Sequence, residues 1–140
     1  MLQKKVVIDT SGFFASGGGL RSLAEEGAVL STPDLVVFEF AKVVREEMSR
    51  ADSSGNSRRV RILLSLEERF PRLLRTLEVD LFSSEFSIDD VDSLYGGVAK
   101  GHEPGDVMIW LKMQKEGLDT IATADIKDWE ALGAKVIALA

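Results

Sequence analysis

The chain has 140 residues, 45% of them hydrophobic and 29% charged, and a formal net charge of −6, which argues against a surface coated in basic residues. It holds no cysteine and one histidine, which excludes disulfides, thiolate zinc sites, cysteine nucleophiles and histidine-rich metal centres. The charge is uneven: residues 41–75 carry nine Lys/Arg against five acids, whereas residues 76–140 carry five Lys against thirteen acids. A local basic patch can steer a polyanion even on an acidic protein, although most single arginines are expected on solvated helix faces. The length suits one domain over residues 1–140 with a real core. No apolar run approaches the roughly 18–20 residues of a membrane span and the first residues lack a signal-peptide core, so a cytoplasmic protein without a membrane partner is expected.

In chain order, Val6-Val7-Ile8 runs without alternation into Asp9-Thr10-Ser11-Gly12. A continuous β-branched run reads as a strand covered on both faces. It puts Asp9 at the carboxyl end, the edge where open α/β sheets build their sites. A carboxylate there either caps the next turn or pairs with a cation. Gly17-Gly18-Gly19 reads as a loop, since its spacing matches neither a Walker loop nor a dinucleotide fingerprint. Leu20 to Glu26 is a short helix closed by Gly27, and residues 28–31 a brief strand. Thr32 as N-cap and Pro33 at the first helical position open a helix to about Arg50. Glu39 lies beside its apolar stripe of Leu35, Val36, Phe40, Val43 and Val44, and needs a partner there. Residues 51–57 read as a polar linker, and the next helix runs from Arg58 until Pro71 kinks or ends it.

Residues 78–82 read as a third strand. Ser87 and Asp90 are spaced as a capping box opening a helix to about Lys100. A loop then enters a helix with Asp106 in its first turn, a place the helix dipole alone favours for an acid. Gly117 ends that helix. Residues 119–123 form a strand followed by Asp125, residues 126–132 a helix stopped by Gly133, and Lys135 to Leu139 a last strand. The alternation implies a three-layer α/β/α sandwich with a mainly parallel central sheet.

In such a topology strand ends and helix N-termini share one edge. Asp9, Glu39, Asp106 and Asp125, from four segments, are therefore expected to converge. Four carboxylates together raise one another's pKa unless a divalent cation neutralises them. All-oxygen ligands suit hard ions, Mg²⁺ or Mn²⁺, rather than zinc or copper. Such ions serve phosphate chemistry by lowering the pKa of a bound water and stabilising the leaving oxygen.

Four motifs in order then resemble the PIN-domain family over essentially the whole length. They are Val7-Ile8-Asp9-Thr10-Ser11, Thr32-Pro33 with Glu39, Pro104-Gly105-Asp106, and Thr123-Ala124-Asp125-Ile126-Lys127-Asp128-Trp129, with Gly133 before the last strand. The resemblance implies a metal-dependent ribonuclease, often the VapC-type toxin of a toxin–antitoxin pair, cytoplasmic and commonly a homodimer. It implies RNA as substrate and an antitoxin protein as partner. Carried over residue by residue, Asp9, Glu39, Asp106 and Asp125 hold Mg²⁺ or Mn²⁺, Asp128 assists a second ion or acts through water, and Ser11 or Thr123 orients a carboxylate or phosphate. An activated water attacks the phosphodiester in line, leaving a 5′-phosphate and a 3′-hydroxyl. Arg45, Arg58 and Arg59 are the candidates for backbone contacts to the nucleic acid.

The sequence departs from the family pattern in two places. Gly-His-Glu-Pro-Gly precedes Asp106 where Ser or Thr is usual, which puts His102 and Glu103 near the site, and Trp129 stands where Phe is common. A haloacid-dehalogenase-type phosphatase needs a second Asp where Ser11 stands, and a receiver domain needs adjacent acids where Thr10 follows Asp9. The remaining rival is a catalytically silent PIN-fold module that binds RNA or protein without cutting.

Overall fold

The structure, a computed structural model, describes residues 4–15 and 17–139; residues 1–3, 16 and 140 of the expected domain lie outside it. Among the described residues the chain runs β1 (Lys5–Ile8), α1 (Thr10–Phe14), α2 (Gly17–Glu25), β2 (Val29–Pro33), α3 (Asp34–Ser53) and α4 (Ser57–Thr76). It continues as β3 (Asp80–Phe82), α5 (Ile88–Ala99), α6 (Pro104–Lys115), β4 (Thr120–Thr123), α7 (Ile126–Leu132) and β5 (Lys135–Ala138). The strands form one sheet in the order β3-β2-β1-β4-β5, and all four pairings are parallel.

The apolar run identified at the outset is the centre of that sheet: Val6, Val7 and Ile8 are wholly buried, as are Ile121 and Ala122 of the neighbouring β4. From β1 the chain winds outward through β2 to β3, then returns to β1's other side for β4 and β5. Neighbouring strands β1 and β4 thus lead away in opposite directions, and the crevice between their carboxyl ends is where such sheets bind ligands. Asp9 and the segment Thr123–Asp125 stand at that crevice.

Several elements differ from the sequence expectation, each for a reason of tertiary contact. Gly17-Gly18-Gly19 is not a loop but the first turn of α2. A Cβ on Gly19 would fall 2.8 Å from Leu139 Cδ2, so close approach to the end of the sheet favours glycine here. Thr32 is not the N-cap of α3: it stays in β2, fully buried, and its hydroxyl donates to the Ile8 carbonyl at 2.6 Å. The expected linker over 51–57 shrinks to a turn, because α3 reaches Ser53 and Asn56 caps α4 through the Arg59 N–H.

Pro71 lies inside α4, which continues to Thr76. An interior proline costs a helix about 3 kcal/mol. Here Phe70 stacks on Phe40 with ring centroids 3.8 Å apart and meets Phe13 edge-on at 5.0 Å, while Leu73 and Leu74 pack on the same core. Each such side chain contributes roughly 1.5–3 kcal/mol when fully buried, enough together to carry the helix past the proline. Further along the chain, Ser87 and Asp90 form the expected capping box of α5. Asp90 also accepts from Lys112 Nζ at 2.9 Å and Lys115 Nζ at 2.7 Å, which ties α5 to α6. Among the described residues no helix is long and apolar enough to cross a membrane.

Candidate active site

Asp9 caps α1, so the capping role suggested by its position is real: its Oδ1 accepts the Gly12 N–H at 2.8 Å. The geometry depends on glycine at position 12, where a Cβ would lie 2.6 Å from the Ala122 carbonyl oxygen of β4. Three side chains complete the surroundings. Trp129 Nε1 donates to Oδ2 at 3.0 Å, Thr123 Oγ1 donates to Oδ2 at 2.8 Å, and Ser11 Oγ lies 3.0 Å from Oδ1. The Ser11 and Thr123 hydroxyls are also 2.9 Å apart. Each has one proton, so a bond between them is made at the expense of one bond to Asp9. Both are fixed from behind, since Ser11 Oγ accepts the Ala124 N–H and Thr123 Oγ1 the Asp125 N–H. Burial raises the Asp9 pKa, and the bonds from Thr123, Gly12, Ser11 and Trp129 hold it down in part.

Glu39, half-buried in the second turn of α3, finds its partner in Thr10, whose hydroxyl donates to Oε2 at 3.0 Å. Burial lifts its pKa, and the charges of Glu103 and Asp9 add to that. Glu103 is the N-cap of α6 and accepts the Asp106 N–H at 2.9 Å. Gly105 lies between the two acids: a Cβ there would come 2.9 Å from Glu103 Oε2 and 3.1 Å from Glu39 Oε1.

Asp106 is the extreme case. Burial comes first, then the charges of Glu103, Asp9, Asp125 and Asp128, and together they push its pKa up to about 7. Asp125 is the N-cap residue of α7, yet its side chain makes no capping bond, and it is exposed together with Asp128. The fold therefore brings Asp9, Glu39, Asp106, Asp125 and Asp128 to one edge, with Glu103 among them. Among the described residues, however, no three His, Cys, Asp or Glu side chains are close enough to form a ready-made metal cage.

The candidate arginines lie elsewhere. Arg45 is paired with Glu67 at 2.7 Å, and Arg58 is exposed. Arg59 lines a cleft of about 630 Å³, floored by Phe13 and Phe70 and rimmed by Arg21, Arg69 and Arg72. Sequence reasoning misses three contacts at the acidic edge: the Thr10 bond to Glu39, the Glu103 cap, and the indole bond that makes Trp129 more than packing. Only the second had a signal, an acid before Pro104 at the first helical position.

A five-stranded parallel sheet in this order, with helices on both sides, is a PIN-like three-layer α/β/α sandwich. Solved structures that share the fold include the following two. PAE2754 from Pyrobaculum aerophilum is 17% identical over 96% of this chain and 83% of that chain, with a TM-score of 0.57. A chain of VapBC2 from Rickettsia felis, solved bound to a DNA fragment from their promoter, is 13% identical over 97% of this chain and 99% of that chain, with a TM-score of 0.56. No protein-family model and no curated protein sequence matches the chain.

Proposed function

We propose that the chain is one PIN-like domain over residues 1–140 that acts as a divalent-metal-dependent endoribonuclease. The observation that carries this reading is Asp106: the fold holds it among Asp9, Glu103, Asp125 and Asp128, with a pKa near 7 and like charges as its neighbours. Such crowding destabilises a protein unless the site is meant for a cation. An all-oxygen donor set fits Mg²⁺ or Mn²⁺.

Asp9, Glu39, Asp106 and Asp125 would hold the ion, with Asp128 serving a second ion or a bound water. When bound, the ion supplies a water of lowered pKa and charge neutralisation at the phosphodiester. Ser11 and Thr123 orient Asp9 through their hydroxyls, Trp129 fixes it through its indole, and Thr10 fixes Glu39. In-line attack leaves a 5′-phosphate and a 3′-hydroxyl. All three candidate arginines are exposed; Arg58 and Arg59 enter no ion pair among the described residues and are the candidates for RNA backbone contacts, whereas Arg45 would first have to leave Glu67.

As the resemblance to the PIN-domain family implies, the reading extends to a cytoplasmic toxin, homodimeric and paired with an antitoxin. The cleft rimmed by Arg21, Arg59, Arg69 and Arg72 over Phe13 and Phe70 supports a protein partner with acidic and apolar residues. One observation favours a second reading, a module that binds RNA or protein without cutting: four protein donors already surround the Asp9 carboxylate.

The test is an incubation of the purified protein with labelled single-stranded and structured RNAs in Mn²⁺, Mg²⁺ or EDTA, run beside Asp9→Asn and Asp106→Asn. Cutting that needs metal and is lost in both variants establishes the nuclease. Neither cutting nor metal binding by calorimetry overturns it in favour of the binding module.

A further inference from the structure

Helix α5 contains two consecutive glycines, Gly96 and Gly97, each costing the helix roughly 1 kcal/mol relative to alanine. Gly97 has a packing reason, since a Cβ there would come 2.8 Å from Val107 Cγ1 of α6. Gly96 has none: a Cβ would meet nothing within 4 Å. What Gly96 borders is a cavity of about 440 Å³ between α5, α6 and α7, within the usual size range of small-ligand pockets.

The wall on the α6 side is Val107, Trp110 and Leu111, one face of that helix, with Leu132 of α7 opposite; Lys100 and His102 come from the α5–α6 connection. Of the two tryptophans, Trp129 gives its indole N–H to Asp9, whereas half-buried Trp110 makes no hydrogen bond among the described residues. Lys100 is exposed and enters no ion pair among the described residues. The cavity adjoins the acidic edge along the chain, because His102 directly precedes Glu103 and Val107 directly follows Asp106. An aromatic side chain, an apolar wall, a cation and an imidazole are what an unstacked nucleotide needs: the base stacks, and the phosphate meets the basic groups.

We propose that this cavity takes one nucleotide of the substrate strand, its base against Trp110 and its phosphate at Lys100 and His102, with Gly96 keeping the space open. The source of that nucleotide, an RNA strand, rests on the ribonuclease reading; the nucleotide chemistry of the cavity does not.

The test reads tryptophan fluorescence of the full chain in EDTA, titrated with each ribonucleoside 5′-monophosphate and with a single-stranded RNA hexamer. Saturable quenching is expected, and Trp110→Phe should remove the signal. Gly96→Leu should weaken binding about 10-fold, the scale of one lost stacking contact, without lowering Tm. Lys100→Ala should weaken binding and flatten its salt dependence. A hexamer that binds more tightly than any monophosphate supports the strand as occupant, while equal affinities overturn the strand and assign the cavity to free nucleotides. No saturable quenching, or quenching unchanged by Gly96→Leu and Lys100→Ala, overturns the proposal altogether. Because the titration excludes metal, RNA cutting by a protein that shows no quenching sinks the cavity and keeps the nuclease. Quenching without cutting under any metal does the reverse.

Discussion

Asp90 and Asp106 occupy equivalent places, each in the first turn of one of two adjacent helices that pack against each other. Their electrostatic situations are opposite. Asp90, 4% exposed, accepts from the Lys115 and Lys112 ammonium groups and from the backbone and hydroxyl of Ser87. Those contacts, the Lys115 bond first, hold its carboxyl well below the usual carboxylate range. Asp106 is desolvated by burial and feels the charges of Glu103, Asp9, Asp125 and Asp128, and its pKa rises to about 7. This fold is thus able to neutralise a buried carboxylate with lysines from the next helix, and at the acidic edge it does not. That contrast is what the proposed metal-dependent reading turns on, since it asks a cation from outside the chain to do at the edge what Lys112 and Lys115 do for Asp90.

The largest effect should come from breaking the balanced half. Lys112→Ala leaves buried Asp90 with one cation and removes the Lys112 bond to the Glu85 carbonyl. Thermal unfolding should show a Tm drop on the order of 10 °C, and a change of only about two degrees would mean the pair is structurally idle.

Removing the unbalanced charge should do the opposite. Asp106→Asn is expected to stabilise the metal-free protein at pH 8 by on the order of 2 kcal/mol, about half of what the full shift implies, since the group is partly exposed and screened. At pH 4 the variant and the parent should be equally stable. Urea unfolding at both pH values decides it, and destabilisation at pH 8 would contradict the assigned strain.

The same logic fixes the pH profile of the parent. Asp106, Asp9 and Glu39 all have folded pKa values raised above their ordinary ones, so the folded state binds more protons. The stability Asp106 contributes is present below about pH 4 and is lost as pH rises through about 7, and Asp9 and Glu39 act in the same direction. Mn²⁺ should flatten that decline, measurable as a metal-dependent Tm at pH 8 and little at pH 5. The smallest change should follow Trp129→Phe, which takes one donor from Asp9 and so makes it more like Asp106. A loss of roughly 1–2 kcal/mol is expected, with the Asp9 titration moved further up in NMR.

Much of this arrangement could be read from local sequence, because strands that stop at an acid announce which edge of a parallel sheet they reach. Val6 to Asp9, residues 120–125 and the capping box at Ser87 needed no distant information. Where the reading failed, the deciding contact lay far along the chain. Three glycines read as a loop until Leu139 packs on Gly19, and Thr32 reads as a cap until its hydroxyl finds the Ile8 carbonyl. Proline at 71 signals a kink or an end, and α4 runs on to Thr76 with Phe70 stacked on Phe40. Lys112 gave no signal, since a lysine in an apolar helix looks like an exposed position until Asp90 is placed beside it.

The bonds from Thr123 and Trp129 to Asp9 span 114 and 120 residues. During synthesis the amino-terminal half of the acidic edge therefore exists long before the groups that fix Asp9 have left the ribosome. A nascent chain carries an unfinished edge until residues through Trp129 emerge and β4 docks beside β1. On the proposed reading, the chain would gain its activity only once synthesis has passed Trp129.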